Sequence, residues 1–166
     1  MVTSRGSTGF SAWLEHDETG IVSDTVARPL VVLDTNVVVS ALRSQRGCAF
    51  QVLDATGREH FDIALSVPLV LEYEAALAEQ RSAPITESDI RVVLDYLCGV
   101  GHQQPVFFLW RPLLPDPKDD MVLELAVAAG CRAVVTYNVR DFRGAEGLGV
   151  QVWTPLDLLR TVGLLS

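Results

Sequence analysis

Residues 30–42, LVVLDTNVVVSAL, set a short apolar run rich in β-branched side chains directly against an aspartate. Leu30–Asp34 has the composition of a strand buried on both faces, and Asp34 closes it. Working outward, Asn36–Leu42 and Ala49–Thr56 are expected as helices interrupted at Gly47, and Phe61–Leu65 as a second strand. Ser66 is a good N-cap, and Pro68 sits in the first turn of a helix running to about Gln80. Thr86 with Asp89 three residues on has the form of a capping box, with Asp in place of Glu or Gln, and opens a helix to about Cys98. Val106–Leu109 is expected as the third strand, and Asp119 as the cap of a helix ending at Gly130, where glycine can turn left-handed. Ala133–Tyr137 and Val150–Trp153 are the fourth and fifth strands, and Thr154-Pro155 begins a short terminal helix. Strands alternating with helices call for an α/β fold, with a parallel sheet covered on both faces and right-handed crossovers. In such sheets ligands bind at the carboxyl ends of the strands.

A chain of 166 residues, 49% hydrophobic, fits one domain with a sizeable core. Residues 1–28 are rich in Ser, Thr, Gly and Asp without sustained periodicity. They are expected as a flexible leader with one weak amphipathic turn around Phe10–Leu14, ahead of a domain spanning 29–166. Cys48, Cys98 and Cys131 are odd in number and lack zinc-ligand spacing, which points to a reducing cytoplasm. The first residues lack a signal peptide's basic start and apolar run, and no segment approaches ~18 consecutive apolar residues, so no membrane span is expected. A net charge of −8 argues against a protein that coats nucleic acid by neutralising phosphates. Lys118 is the only lysine. The arginines suit phosphate recognition, although genome composition produces the same bias.

Four acidic stations stand beside apolar strands or helices: Asp34, Glu72 in SVPLVLEYEAAL, Asp119 and Asp120 in DPKDD, and Asp141 in VVTYNVRDF. Parallel strands would bring them together. Carboxylates so gathered raise one another's pKa unless a cation sits among them, and Mg²⁺ or Mn²⁺ takes oxygen ligands. Each station alone has a plainer explanation. Asp34 serves equally as a turn or N-cap aspartate. A strand-end DxD would suggest a phosphatase with an aspartyl nucleophile, but here the second position is Asn36. Both Glu72 and Glu74 fall at the margin of the apolar face of Leu69, Tyr73, Ala76 and Leu77, so the helical wheel does not choose between them. Asp119 shares a face with Val122, Leu123 and Ala126, whereas Asp120 lines up with Glu124 and is expected to face more outward. Asp141 and Asn138 follow the fourth strand in a polar stretch. Tyr96, Trp110 and Trp153 suit the core as well as base stacking. His16, His60 and His102 lie near none of the stations, and there is no Gly-rich phosphate loop and no GxSxG.

Together VVLDTNVVVSAL, SVPLVLE, DPKDDMVLELAVAAG and VVTYNVRDF resemble the PIN-domain nucleases, and more closely the VapC-like toxins of toxin–antitoxin systems. The resemblance runs from Leu30 to about Leu159. It implies a three-layer α/β/α sandwich around a mostly parallel sheet and a Mg²⁺- or Mn²⁺-dependent endoribonuclease of the cytoplasm. It also implies Asp34, Glu72, Asp119 and Asp141 as metal-site and catalytic acids, with Glu72 acting directly or through water. Asn138 stands where some relatives carry a further aspartate, Thr136 matches the usual hydroxyl before it, and Asp120 replaces Asp119 if the register is off by one. The implied partners are RNA, a cognate antitoxin protein and a second copy of the chain, with Arg43, Arg46, Arg140 and Arg143 expected to hold the RNA. The alternative is a degenerate PIN domain that only binds RNA or protein, for which Asn138 leaves room.

Overall fold

In the computed structural model the described residues are 27–80, 85–107 and 113–166, so the expected leader lies outside them except for Ala27 and Arg28. Leu30–Leu33 forms β1, followed by α1 (Thr35–Arg43) and α2 (Cys48–Ala55). Then come β2 (Asp62–Leu65), α3 (Val67–Ala78), α4 (Glu87–Val100) and β3 (His102–Gln103). The chain continues through α5 (Pro117–Ala128), β4 (Ala133–Val135), β5 (Gln151–Trp153) and α6 (Pro155–Thr161). All strand pairings are parallel, in the order β3-β2-β1-β4-β5.

Successive strand residues point to opposite faces. Val31, Val32 and Leu33 of β1 and Ala133, Val134 and Val135 of β4 are nonetheless all buried, so helices cover both sides and the fold is an α/β/α sandwich. Helix α5 lies against β1, β2 and β4, while α2 packs on α1 and α6, and α3 on α1 and α4. Each fully buried Val or Leu stabilises the sheet by about 1.5–3 kcal/mol, which explains how strands of three or four residues hold their register.

The helix starts follow from local chemistry. Ser66 accepts from the Leu69 N–H, and both Thr86–Asp89 and Thr154–Asp157 close reciprocal capping boxes. Gly130 takes the left-handed conformation after α5, with φ 66°.

Two expectations need correction. The third strand is not Val106–Leu109. Instead His102–Gln103 pairs with Ala64–Leu65, Val106 and Phe107 have no regular structure, and 108–109 lie outside the described residues, as does Trp110. Helix α4 runs on to Val100, and a Cβ on Gly101 would stand 2.6 Å from Leu65 Cδ1. Only glycine lets the chain pass this close to β2, and it pairs at once. The other correction concerns α5, which begins three residues earlier than expected. Its N-cap is Asp116, which accepts from the Lys118 N–H, with Pro117 at the first helical position, where a missing N–H costs nothing. Among the described residues no helix is long and apolar enough to cross a membrane.

Candidate active site

The sheet register builds the site. Leu33 is paired with Val135, so the next residues, Asp34 and Thr136, emerge side by side at the carboxyl edge. The Asp34 N–H donates to the Val135 carbonyl. Although Asp34 occupies the N-cap position of α1, its carboxylate makes no capping bond. Its Oδ2 accepts instead from Thr136 Oγ1 at 2.7 Å and from Asn36 Nδ2 at 2.8 Å. Thr136 Oγ1 in turn accepts from Asn36 Nδ2 at 3.1 Å and from the Asn138 N–H at 2.9 Å, so the hydroxyl uses its donor and both lone pairs. Asn36 Oδ1 accepts from the Tyr137 N–H. Only 6% of Asp34 is exposed. Burial raises its pKa, the hydrogen bonds from Thr136, the Thr35 backbone and Asn36 oppose that rise, and the charge of Asp141 adds to it.

Asp119 reaches the same edge from the first turn of α5. Its carboxyl is pushed up to about 6, first by desolvation and then by the charges of Asp34, Asp116, Asp141 and Asp120. Asp141 sits in a short 3-10 turn, Val139–Phe142, that is anchored by buried Phe142 and by the Asp141 N–H donating to the Asn138 carbonyl. Acids from the end of β1, the start of α5 and the turn after β4 therefore converge electrostatically, while Asn138 remains exposed beside them. Asp120 has a different task. Its Oδ1 accepts from the Leu113 and Leu114 N–H groups and fastens the preceding loop to α5. Its expected outward companion, Glu124, is buried.

Glu72 is distinguished from Glu74 by a tertiary contact. The fully buried Tyr73 hydroxyl donates to the Leu33 carbonyl, directly beneath Asp34, and this fixes the roll of α3. Glu72 is half-buried, with its Oε1 2.7 Å from Nζ of Lys118, the residue before Asp119, whereas Glu74 is exposed; Glu72 is not among the charges that act on Asp34 and Asp119. The Glu72 contact holds the Lys118 ammonium above its ordinary pKa. Arg140 and Arg143 flank Asp141. Arg43 and Arg46 lie toward or beyond the far end of α1, about 13 Å from Asp34 along the helix axis, at 1.5 Å per residue. Arg43 instead lines a recess of about 550 Å³ with Leu42, Phe50, Leu53 and Val93, which contains none of the four stations.

The donor set at the sheet edge is all oxygen. Asp34 and Asp119 are raised by burial and by neighbouring negative charge, a condition that a hard divalent cation relieves. Among the described residues no group of three His, Cys, Asp or Glu side chains is placed so that it could hold a metal ion as the side chains stand. All three cysteines are free, and burial pushes the Cys131 thiol up to about 12, so it is inert.

Asn36 is the site residue that sequence reasoning passed over, having registered only as a missing second aspartate. The available signal was an amide two residues after a strand-end carboxylate, within reach of a hydroxyl on the neighbouring strand.

A family profile described as PIN domain matches residues 30–140. No curated protein sequence matches the chain. Among solved structures the chain is similar to VapBC2 from Rickettsia felis, determined bound to a DNA fragment from its promoter, with 16% identity and a TM-score of 0.52. That similarity covers 75% of this chain and 98% of the other. FitAcB from Neisseria gonorrhoeae is 19% identical with a TM-score of 0.51, covering 76% and 98%. FitAB bound to the IR36 DNA fragment is 19% identical with a TM-score of 0.52, covering 75% and 94%. At these identities the likeness establishes a shared fold.

Proposed function

The chain belongs to the PIN domain family, and from that premise we propose that it is a Mg²⁺- or Mn²⁺-dependent endoribonuclease, the cytoplasmic toxin of a toxin–antitoxin pair. The observation that carries this proposal is the convergence of Asp34, Asp119 and Asp141, with Asp119 held at about 6 by burial and its acidic neighbours. A phosphatase with Asp34 as nucleophile fits less well, because Asn36 and Thr136 both occupy the carboxylate oxygen Oδ2.

Asp34, Asp119 and Asp141 would hold the ion. Asp34 is fixed by its two hydrogen bonds, while Asp119, partly exposed, and Asp141, exposed, would turn toward it. Once bound, such an ion lowers the pKa of a coordinated water and offsets charge on the scissile phosphate. The protein's share would be to favour the ionised form of Asp34 through Thr136 and Asn36, against its burial, and to present Asp119 from a helix start that favours negative charge. Glu72, held by Lys118 beside Asp119 in the chain, would orient the attacking water. In-line hydrolysis would leave a 5′-phosphate and a 3′-hydroxyl. Arg140 and Arg143 are better placed than Arg43 and Arg46 to contact RNA.

The test is cleavage of a mixed RNA pool with Mg²⁺ or Mn²⁺, comparing wild type, Asp34→Asn and an EDTA control. Cleavage lost in both controls supports the proposal. Cleavage that survives Asp34→Asn overturns the assignment of the site. If no cleavage occurs and RNA is bound without Mn²⁺ binding, the chain is a binding module only. Co-purification with the product of a neighbouring reading frame tests the antitoxin, and sedimentation tests for a second copy.

A further inference from the structure

Lys118 is the chain's only lysine, and it immediately precedes Asp119 in the first turn of α5. Its side chain is 67% exposed, that of Glu72 is 19% exposed, and the two charged atoms are 2.7 Å apart. The pair stands at the first turn of α5, which also carries Asp119. An RNA strand approaching Asp34, Asp119 and Asp141 on a protein of net charge −8 meets repulsion, so some cation at the rim must hold its backbone. Arg43 and Arg46 are at the wrong end of α1, whereas Arg140 and Arg143 flank Asp141, so Lys118 would share the RNA backbone with those two arginines.

Resting on the nuclease function above, we propose that Lys118 is the phosphate anchor of this site, with Glu72 as the counter-ion that holds it in place until RNA arrives. An ion pair this exposed contributes little stability, so exchanging the carboxylate for a backbone phosphate costs little. A compact ammonium on a flexible stem suits a single point contact, whereas an arginine fork would need a planar, two-oxygen approach. Glu72 is thereby released next to the acid group at the moment the phosphate docks. Substrate arrival and the freeing of a fourth carboxylate become one event.

The experiment follows fluorescence anisotropy of a short mixed-sequence single-stranded RNA on the full chain, with Ca²⁺ replacing Mg²⁺, across a salt series. Mn²⁺ affinity is measured separately by calorimetry without RNA. Lys118→Gln should weaken RNA binding about tenfold, the size of one lost charge-assisted hydrogen bond. It should also reduce the salt slope by about 0.7, the value for one phosphate contact on a single strand. Lys118→Arg should retain most of the binding, Glu72→Gln should tighten it, and Mn²⁺ affinity of Lys118→Gln should stay near wild type. Lys118→Gln with wild-type RNA affinity and salt slope would overturn the proposal. So would a loss confined to Mn²⁺ affinity, which would make Lys118 a support for Glu72 alone. Absence of RNA binding by wild type itself would overturn the nuclease function and the anchor together.

Discussion

Replacing Asp119 with asparagine should stabilise the metal-free protein at neutral pH. The Asp119 carboxyl is held at about 6 rather than its ordinary 3.8, chiefly by burial and then by Asp34 and other acids. For a carboxyl whose folded pKa is raised, the native state binds the proton more tightly than the unfolded chain. Its favourable contribution is complete below 3.8 and is lost as pH rises through about 6. Fully buried, the difference would correspond to about 3 kcal/mol at 1.36 kcal/mol per pH unit. Asp119 is partly exposed, and solvent screening reduces this to about 1 kcal/mol. The neutral amide of Asp119→Asn removes that penalty while keeping the shape. Thermal unfolding in EDTA followed by circular dichroism should therefore show the variant melting about 2–4 °C higher at pH 7. The gap should close toward pH 4. Saturating Mn²⁺ should invert the order, because a ligand at about 100 times its Kd stabilises wild type by about 2.7 kcal/mol and the variant far less. A variant that melts at or below wild type at pH 7 in EDTA, with a gap independent of pH, would refute a burdened Asp119, raised first by burial and then by its acidic neighbours, as the organising feature of the site.

Asp120→Ala should lose about 1–2 kcal/mol in urea unfolding, because the Leu113 and Leu114 N–H groups lose their acceptor, yet it should keep wild-type Mn²⁺ affinity, which Asp119→Ala should abolish. Thr136→Val removes a buried hydroxyl that donates to a carboxylate. It should cost about 2–3 kcal/mol, raise the Asp34 pKa further and move the acid limb of any RNA-cleavage profile to higher pH. Gly101→Ala drives a methyl into the Leu65 side chain and near the Leu97 carbonyl, and should cost about 1–3 kcal/mol in denaturant midpoint without altering Mn²⁺ binding.

What the sequence disclosed tracks how local each determinant is. The close of β1 beside Asp34, the Ser66 cap, the box at Thr86 and the helix start at Thr154-Pro155 each depend on residues within four positions, and all could be read directly. The strand β3 could not, because it consists of two exposed polar residues whose pairing is decided by the passage of Gly101 over Leu65, which lies far away in sequence. The start of α5 misled for another reason. Apolar periodicity through Val122, Leu123 and Ala126 shows which way Asp119 faces but not where the first turn begins, and Asp116-Pro117 held that information. The tie between Glu72 and Glu74 was broken only by the bond from Tyr73 to the Leu33 carbonyl.

Asn36 carries the most instructive difference. Against a DxD pattern it counts as a lost acid. In the fold an aspartate there would set a fourth negative charge against Asp34, at a position where the amide nitrogen now donates at 2.8 Å. It would also leave the Thr136 hydroxyl without one of its donors. Both effects would push the Asp34 proton affinity up further in a site where burial and Asp141 already raise it. The amide therefore joins Thr136 and the Thr35 backbone in opposing the rise that burial causes at a nearly fully buried carboxylate. The same asparagine that departs from a DxD pattern thus lends a hydrogen-bond donor to Asp34 where an aspartate would add charge.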